Sequence, residues 1–237
     1  MLETKTFTQQ SYRLTNEGAA DLGMVCGGQV TVWFTYLPPA EIPDLAAGRF
    51  LTLTEGGGAA VSDHSEPGVH GGRFSVALQR PGMVYLFGGG HVSQALAPVL
   101  DRIDFAVTVV EERPEFLSPD LFPTARALVR ADFFRLSDAL TLTADDYAIV
   151  MTRGHQADLE ILLQILRSPA RYVGCIGSRK KVAYTQAKLR EAGIDEARIQ
   201  SLHSPIGLAI GAETPAEIAV SIAAQLIAHR AGAEISD

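Results

Sequence analysis

The stretch Val84-Tyr85-Leu86-Phe87-Gly88-Gly89-Gly90-His91-Val92-Ser93 decides the fold. An apolar run, three glycines and a helix-compatible continuation read as a strand, a tight turn and a helix start. The pattern nearly matches the G-x-G-x-x-G of dinucleotide-binding domains, with Gly88 making the turn and Gly90 admitting a pyrophosphate to the backbone. Ser93 stands where the third glycine would be; it is small, but its side chain implies slightly looser packing of helix on strand. The helix N-terminus, including Gly89, His91 and Val92, offers N–H groups and positive potential to an anion. His91 lies outside the general fingerprint. Protonation is disfavoured at a helix N-terminus, so it reads as a neutral hydrogen-bonding group. Glu111 follows the next apolar run, 21 positions after Gly90, where such domains bind a ribose hydroxyl.

Outward from this stretch, short apolar runs recur at 83–87, 105–110, 126–129, 147–151 and 171–176. Continuous runs of that length suit strands buried on both faces, as in a parallel sheet. Helical stretches fall at 91–103, 157–167 and 180–192, and a last helix at 215–230 is apolar almost all round and expected to be buried. The fold class is α/β: a Rossmann-like doubly wound parallel sheet over 81–237, with a small β-containing N-terminal domain. In that domain, which spans 1–54, residues 29–37 alternate apolar and polar and are stopped by Pro38-Pro39, and 49–54 is a second strand candidate. Between 55 and 72, six of eighteen residues are glycine, so 55–80 reads as a flexible linker or long surface loop. There is no internal repeat.

Ligands in open α/β sheets bind outside the carboxyl ends of the strands, which directs attention to the other loops on that edge. After 147–151 comes Thr152-Arg153-Gly154-His155-Gln156-Ala157-Asp158, where His155 and Asp158, three apart, share a face of the helix start within reach of a ligand. Asp158 equally fits as a first-turn carboxylate complementing the helix dipole. After 171–176 comes Gly177-Ser178-Arg179-Lys180-Lys181, a small turn, a hydroxyl and three cations opening a helix. Cations at that end cost stability unless an anion is present, so this loop reads as a phosphate site. Thr214, Pro215 and Glu217 have the spacing of an N-cap, first helical residue and capping-box partner. Cys26, flanked by glycines in Gly23-Met24-Val25-Cys26-Gly27-Gly28, suits either a soft metal ligand or a small buried residue. Cys175 lies in a buried strand candidate and reads as inert.

Composition excludes several classes. Apolar residues make up 47% and charged residues 20%, which is the balance of a folded globular chain rather than a disordered one. The net charge of −7 argues against a duplex nucleic-acid binder. The richest apolar run, 218–228, is 11 residues long against the roughly 18 of a membrane span, and the N-terminus lacks the basic and apolar segments of a signal peptide. Two cysteines build neither a disulfide framework nor a four-thiolate zinc site, so a reduced cytoplasmic protein is expected.

Together, the segments 87–92, 107–110, 172–180 and 205–218 resemble the xanthine dehydrogenase accessory-factor (XdhC) family, and Cys26-Gly27-Gly28 matches its element just upstream. The resemblance covers roughly 20–40 and 81–230 in collinear order. It implies a partial N-terminal domain followed by a Rossmann-like domain, and a non-catalytic chaperone that binds molybdenum cofactor (molybdopterin). Such a protein holds the cofactor while its sulfido ligand is installed and passes it to xanthine dehydrogenase or a related molybdenum hydroxylase, with a cysteine desulfurase as second partner. The residue-level reading fits this: Gly88–His91 and Ser178–Lys181 could supply the anion cradle that a pterin phosphate needs, and a molybdenum centre with soft sulfur ligands could meet a thiolate such as Cys26. Family members usually begin with a longer N-terminal domain carrying Gly-Ser-x-Pro-Arg, which has no match here. Two other functions fit the same residues: an NAD(P)-dependent oxidoreductase, on the near-fingerprint and Glu111, and a nucleotide-sensing regulatory module. A homodimer is expected because small accessory proteins often associate.

Overall fold

A computed structural model describes residues 5–14, 28–45, 49–78 and 83–233. The chain divides into two compact units, Met1–Arg80 and Pro81–Asp237. In the first, β1 (Thr8–Leu14) pairs antiparallel with β2 (Gly28–Phe34), bringing Thr8 opposite Phe34. A four-stranded antiparallel sheet follows, built from β3 (Phe50–Thr54), β4 (Ala59–Ser62), β5 (Gly68–His70) and β6 (Arg73–Ala77) in the order β4-β3-β6-β5.

Three of those strands lie within 55–80, so the expected linker is instead a folded sheet. Its glycines are there for tight turns: Gly56, Gly57 and Gly58 join β3 to β4, and Gly71 and Gly72 join β5 to β6, all at positive φ where side chains are disfavoured. Composition alone does not separate glycine used for hairpins from glycine used for slack.

The second unit holds β7 (Met83–Phe87), α1 (His91–Arg102), β8 (Ala106–Glu111), β9 (Ala127–Arg130), β10 (Tyr147–Val150), α2 (His155–Ile165), β11 (Tyr172–Cys175), α3 (Arg179–Glu191), α4 (Glu196–Gln200), β12 (Leu202–His203) and α5 (Pro215–Ala231). Its strands form one parallel sheet in the order β12-β11-β10-β7-β8-β9. Counted within this unit, the strand order is that of a Rossmann domain, and it reverses between β7 and β10.

Side chains alternate across the sheet. Val84, Leu86, Val107, Val109, Tyr147 and Ile149 pack with Leu96 and Leu100 of α1 and with Ile222 and Leu226 of α5. Phe87, Val110, Ala148, Val150 and Val173 pack on the other face with Ile161 and Leu162 of α2 and Leu189 of α3. The α5 N-terminus carries the expected capping box: the Thr214 hydroxyl accepts from the Glu217 amide, and the Glu217 carboxylate accepts from the Thr214 amide at 2.9 Å. Only one side of α5 is buried, however; Val220 and Ile227 are 52% and 42% exposed. An apolar composition all round the helix does not require burial all round, because the sheet covers a single face. Among the described residues no helix is long and apolar enough to cross a membrane.

On the α5 side, four rings cluster. His203 stacks on Tyr172 at 4.5 Å, and His229 stands edge-on to Tyr172 at 5.0 Å and to Tyr147 at 5.7 Å. The Tyr172 hydroxyl donates to Gln225 Oε1, which also accepts from the Gly207 amide, tying α5 to the loop before it. Burial lowers the pKa of both histidines; for His229 the neighbouring His203 and Arg171 add to it. Each binds its proton less readily folded than unfolded, so their contribution to stability is present above about pH 6.5 and is lost as pH falls through their depressed folded values. The unfolding midpoint is therefore expected to drop between pH 7.5 and pH 5.5 in thermal melts, and replacing His229 by Phe is expected to flatten that dependence.

Candidate functional site

The carboxyl ends of β7 and β10 lie side by side because Gly88 has no side chain. Its φ is +107°, and a Cβ there would stand 2.5 Å from the Met151 carbonyl oxygen and 2.9 Å from its carbon. The Gly88 amide donates to Val110 O at 2.9 Å, and the Met151 amide to Phe87 O at 2.8 Å, so the turn is knitted into β8 and β10. Gly89 serves a different approach. A Cβ on it would meet Phe116 O at 2.6 Å, so glycine lets the loop after β8 close over the turn. Ser93 is fully buried and its hydroxyl donates to Gly88 O at 2.5 Å. The looser packing expected at this position is replaced by a hydrogen bond that fastens α1 to the turn.

Above these glycines, at the point where strand order reverses, lies a crevice of about 570 Å³. Gly90, His91, Val92 and Ser93 line it from the start of α1, and Arg113 and Phe116 from the loop after β8. Met151, Thr152 and Arg153 line it after β10, with Ile176 after β11 and Pro215 at the start of α5. Gly90 is the N-cap of α1 and no side chain caps that end, which leaves first-turn N–H groups directed at the crevice for an anion. A Cβ on Gly90 would meet nothing within 4 Å.

Glu111 is placed at the end of β8 as expected, but its carboxylate is committed within the protein. Oε2 accepts from the Gly89 amide at 2.9 Å and from Arg113 Nη2 at 2.9 Å. Oε1 accepts from the amides of Glu112 and Arg113 and from Arg113 Nε at 3.1 Å. A carboxylate has about four lone-pair sites, so none is left for a ribose hydroxyl. The residue is 1% exposed, and burial by itself would raise its pKa; the hydrogen bonds from Arg113 and from the Gly89 and Arg113 amides outweigh this and hold it below the usual range. The guanidinium of Arg113 lies 4.0 Å from the Phe116 ring centroid.

Asp158 likewise differs from the expectation of a ligand-facing carboxylate. It is 1% exposed and accepts from the Thr152 amide at 3.1 Å, from the Thr152 hydroxyl at 2.6 Å, and from Lys181 Nζ. Lys181 also donates to Ile176 O at 3.1 Å, and its side chain runs past Gly177, where a Cβ would lie 2.9 Å from Lys181 Cδ. The anion that balances a cation at the start of α3 is thus Asp158 of α2, and the pair fixes the loops after β10 and β11 together. Ser178 caps α3, and Arg179 and Lys180 are its first two residues. His155 is the first residue of α2.

Of the expected cofactor residues, Gly90, His91 and Val92 line the crevice; Gly88, Gly89, Glu111 and Asp158 build it; Gly177, Ser178 and Lys180 are not among its described lining residues, and the side chains of His155 and Arg179 lie outside what the structure describes. Arg113, Phe116, Thr152 and Arg153 line it without a role that the sequence pattern assigns to them, and Pro215, read there as the first residue of a helix, lines it too. For Arg113 a signal was present, a cation two residues after the acidic strand end. Cys26, the expected metal ligand, lies outside the described residues. Among the described residues no group of three or more His, Cys, Asp or Glu could hold a metal ion. Cys175 is buried, which pushes its thiol up to about 12, in keeping with an inert core residue.

Residues 84–226 match the XdhC Rossmann domain family. The chain belongs to the XdhC family. It is 36% identical over 161 residues to the uncharacterized protein YqeB of Escherichia coli strain K12, a match covering 66% of this chain and 29% of that one. It is 31% identical over 145 residues to a probable xanthine dehydrogenase subunit of Bacillus subtilis strain 168, covering 61% of this chain and 42% of that one. The XdhC match thus spans less than half the length of either curated relative. A crystal structure described as a xanthine dehydrogenase from Bacillus halodurans superposes with a TM-score of 0.77 at 22% identity, over 98% of this chain and 77% of that one, which shows a shared fold.

The glycines of this XdhC turn are expected to divide by role. Gly88→Ala adds a backbone clash to a strained φ and should cost about 3 kcal/mol, and Gly89→Ala about 2 kcal/mol. Gly90→Ala meets open space and should cost under about 1 kcal/mol, the loss of a favourable N-cap. Urea denaturation of the three variants measures this order.

Proposed function

We propose that this XdhC chain is a carrier that holds the molybdenum cofactor in the crevice between β7 and β10 and delivers it to a xanthine dehydrogenase-type hydroxylase during that enzyme's maturation. The observation that carries the reading is the crevice itself: an uncapped helix N-terminus beside two arginines, at the switch point of a domain from a xanthine dehydrogenase-associated family. A pterin phosphate asks for an anion cradle and a slot with apolar walls, and the residues present fit that demand. Gly90, His91 and Val92 would hold the phosphate at the start of α1, with Arg113 and Arg153 adding positive charge. Phe116, Met151 and Ile176 would flank the ring system. The volume of about 570 Å³ is within the ordinary range for cofactor sites.

The chain's own residues in this role bind and shield. Asp158 and Lys181 keep the loops after β10 and β11 in register, and Glu111 keeps the β8 loop over the glycine turn. The molybdenum cofactor, when bound, supplies all of the redox chemistry, which is exercised in the target enzyme. Partners that fit a carrier are that hydroxylase and, for installation of the sulfido ligand, a cysteine desulfurase; Cys26 is the candidate thiolate for the metal end.

The protein purified anaerobically from cells that make molybdenum cofactor is expected to release, on denaturation and oxidation, a fluorescent pterin with near-equal molybdenum. Gly90→Trp projects bulk into the crevice from a position with open space around it, and is expected to fold normally and carry no pterin. Pterin retained by Gly90→Trp, or NAD(P) in place of pterin, contradicts the proposal.

A further inference from the structure

We propose that Arg113 makes the crevice select a ligand that bears a phosphate at the end of β8, against the same ligand ending there in a ribose diol. This rests on the reading of the crevice as a site for a phosphate-bearing cofactor, and adds which chemistry it distinguishes.

Three observations lead to it. First, the acidic residue that would accept from a diol is spent: Glu111 takes hydrogen bonds from the Gly89, Glu112 and Arg113 amides and from Nε and Nη2 of Arg113. A diol arriving at this strand end finds no free carboxylate lone pair, and displacing those donors would leave the buried Gly89 amide and the part-buried Arg113 groups without their acceptor. Second, Arg113 lines the crevice with its side chain one-third exposed, and its contact with Glu111 uses Nε and one side of Nη2. The Nη1 pair and the second Nη2 hydrogen lie outside that contact, and a planar guanidinium with donors in hand suits a phosphate oxyanion. Third, the guanidinium is held in place. It rests against Phe116, whose backbone in turn closes over Gly89. The positive group is thereby fixed at the wall before a ligand arrives, and little ordering is lost on binding.

The same pair explains why an arginine serves here and a lysine would not. Glu111 needs two parallel donors to stay buried and charged, and the fork of Arg113 meets that need from one edge while presenting the other. A lysine would satisfy the carboxylate or the phosphate in turn.

NADP and NAD are a matched probe pair differing by one 2′-phosphate. Equilibrium dialysis or calorimetry of the purified, ligand-free chain is expected to show NADP binding at least about tenfold tighter than NAD, the effect of one charge-assisted contact. Arg113→Ala alone leaves Glu111 buried without its cation, so the double variant Glu111→Gln/Arg113→Ala is the informative one. It is expected to lose the NADP preference, read as the ratio of the two affinities and so independent of any common loss from the loosened β8 loop, and Arg113→Lys is expected to keep only part of that preference. Equal affinity for the two dinucleotides, or a preference for NAD, overturns the role of Arg113, and abolition of both by Gly90→Trp would then show that the crevice reading stands without it. An undiminished NADP preference in the double variant overturns it equally. If neither dinucleotide binds, the proposal as stated fails, and co-purification of pterin decides the crevice reading on its own.

Discussion

The approach of Gly88 to the backbone of Met151 is the constraint on which the second unit depends. Two parallel strands, β7 and β10, must end side by side for the order to reverse between them, and a Cβ on Gly88 would stand only 2.5 Å from the Met151 carbonyl oxygen. Once that contact is made, the rest of the edge is assembled around it. Ser93 ties α1 to the turn, Glu111 ties the β8 loop to Gly89, and Asp158 with Lys181 ties the β10 loop to α3. Each tie has a buried partner, Ser93, Glu111 or Asp158, a polar or charged group that would be expensive to bury unpaired. The crevice is what remains above them.

This arrangement separates two jobs that a fingerprint motif merges. In the stretch 88–90, two glycines serve close packing and the third opens onto the crevice. The acidic residue at the end of β8 serves the protein rather than a ligand. Carboxylates at such sites are commonly read as ligand contacts because of their position, but position does not reveal which donors reach them first. Arg113, two residues downstream on a tight loop, reaches Glu111 with both its backbone and its side chain.

Much of the XdhC domain was legible from sequence because its strands are buried on both faces and its helices begin at marked turns. The run 83–87 coincides with β7 in full, and the helix starts at His91 and Pro215 follow from Gly90 and Thr214. What was missed has physical causes. β12 is two residues long and has no apolar run to announce it, and β1, with Thr8-Gln9-Gln10-Ser11, has no alternation of apolar and polar residues. The hairpins within 55–80 carry short strands between glycines, so the composition reads as slack where the backbone uses positive φ. At the site, the pairing of Lys181 with Asp158 joins residues 23 positions apart on two helices, which no local pattern encodes.

In the proposed function the ligand sits at the carboxyl ends of β7 and β10, on the first turn of α1. Amide hydrogen exchange of the protein with and without bound molybdenum cofactor tests it most directly. Added protection is expected across 89–94 and 152–154, where the helix start without a side-chain cap and the β10 loop face the crevice. Protection confined to 28–78, with the α1 start unchanged, would contradict it.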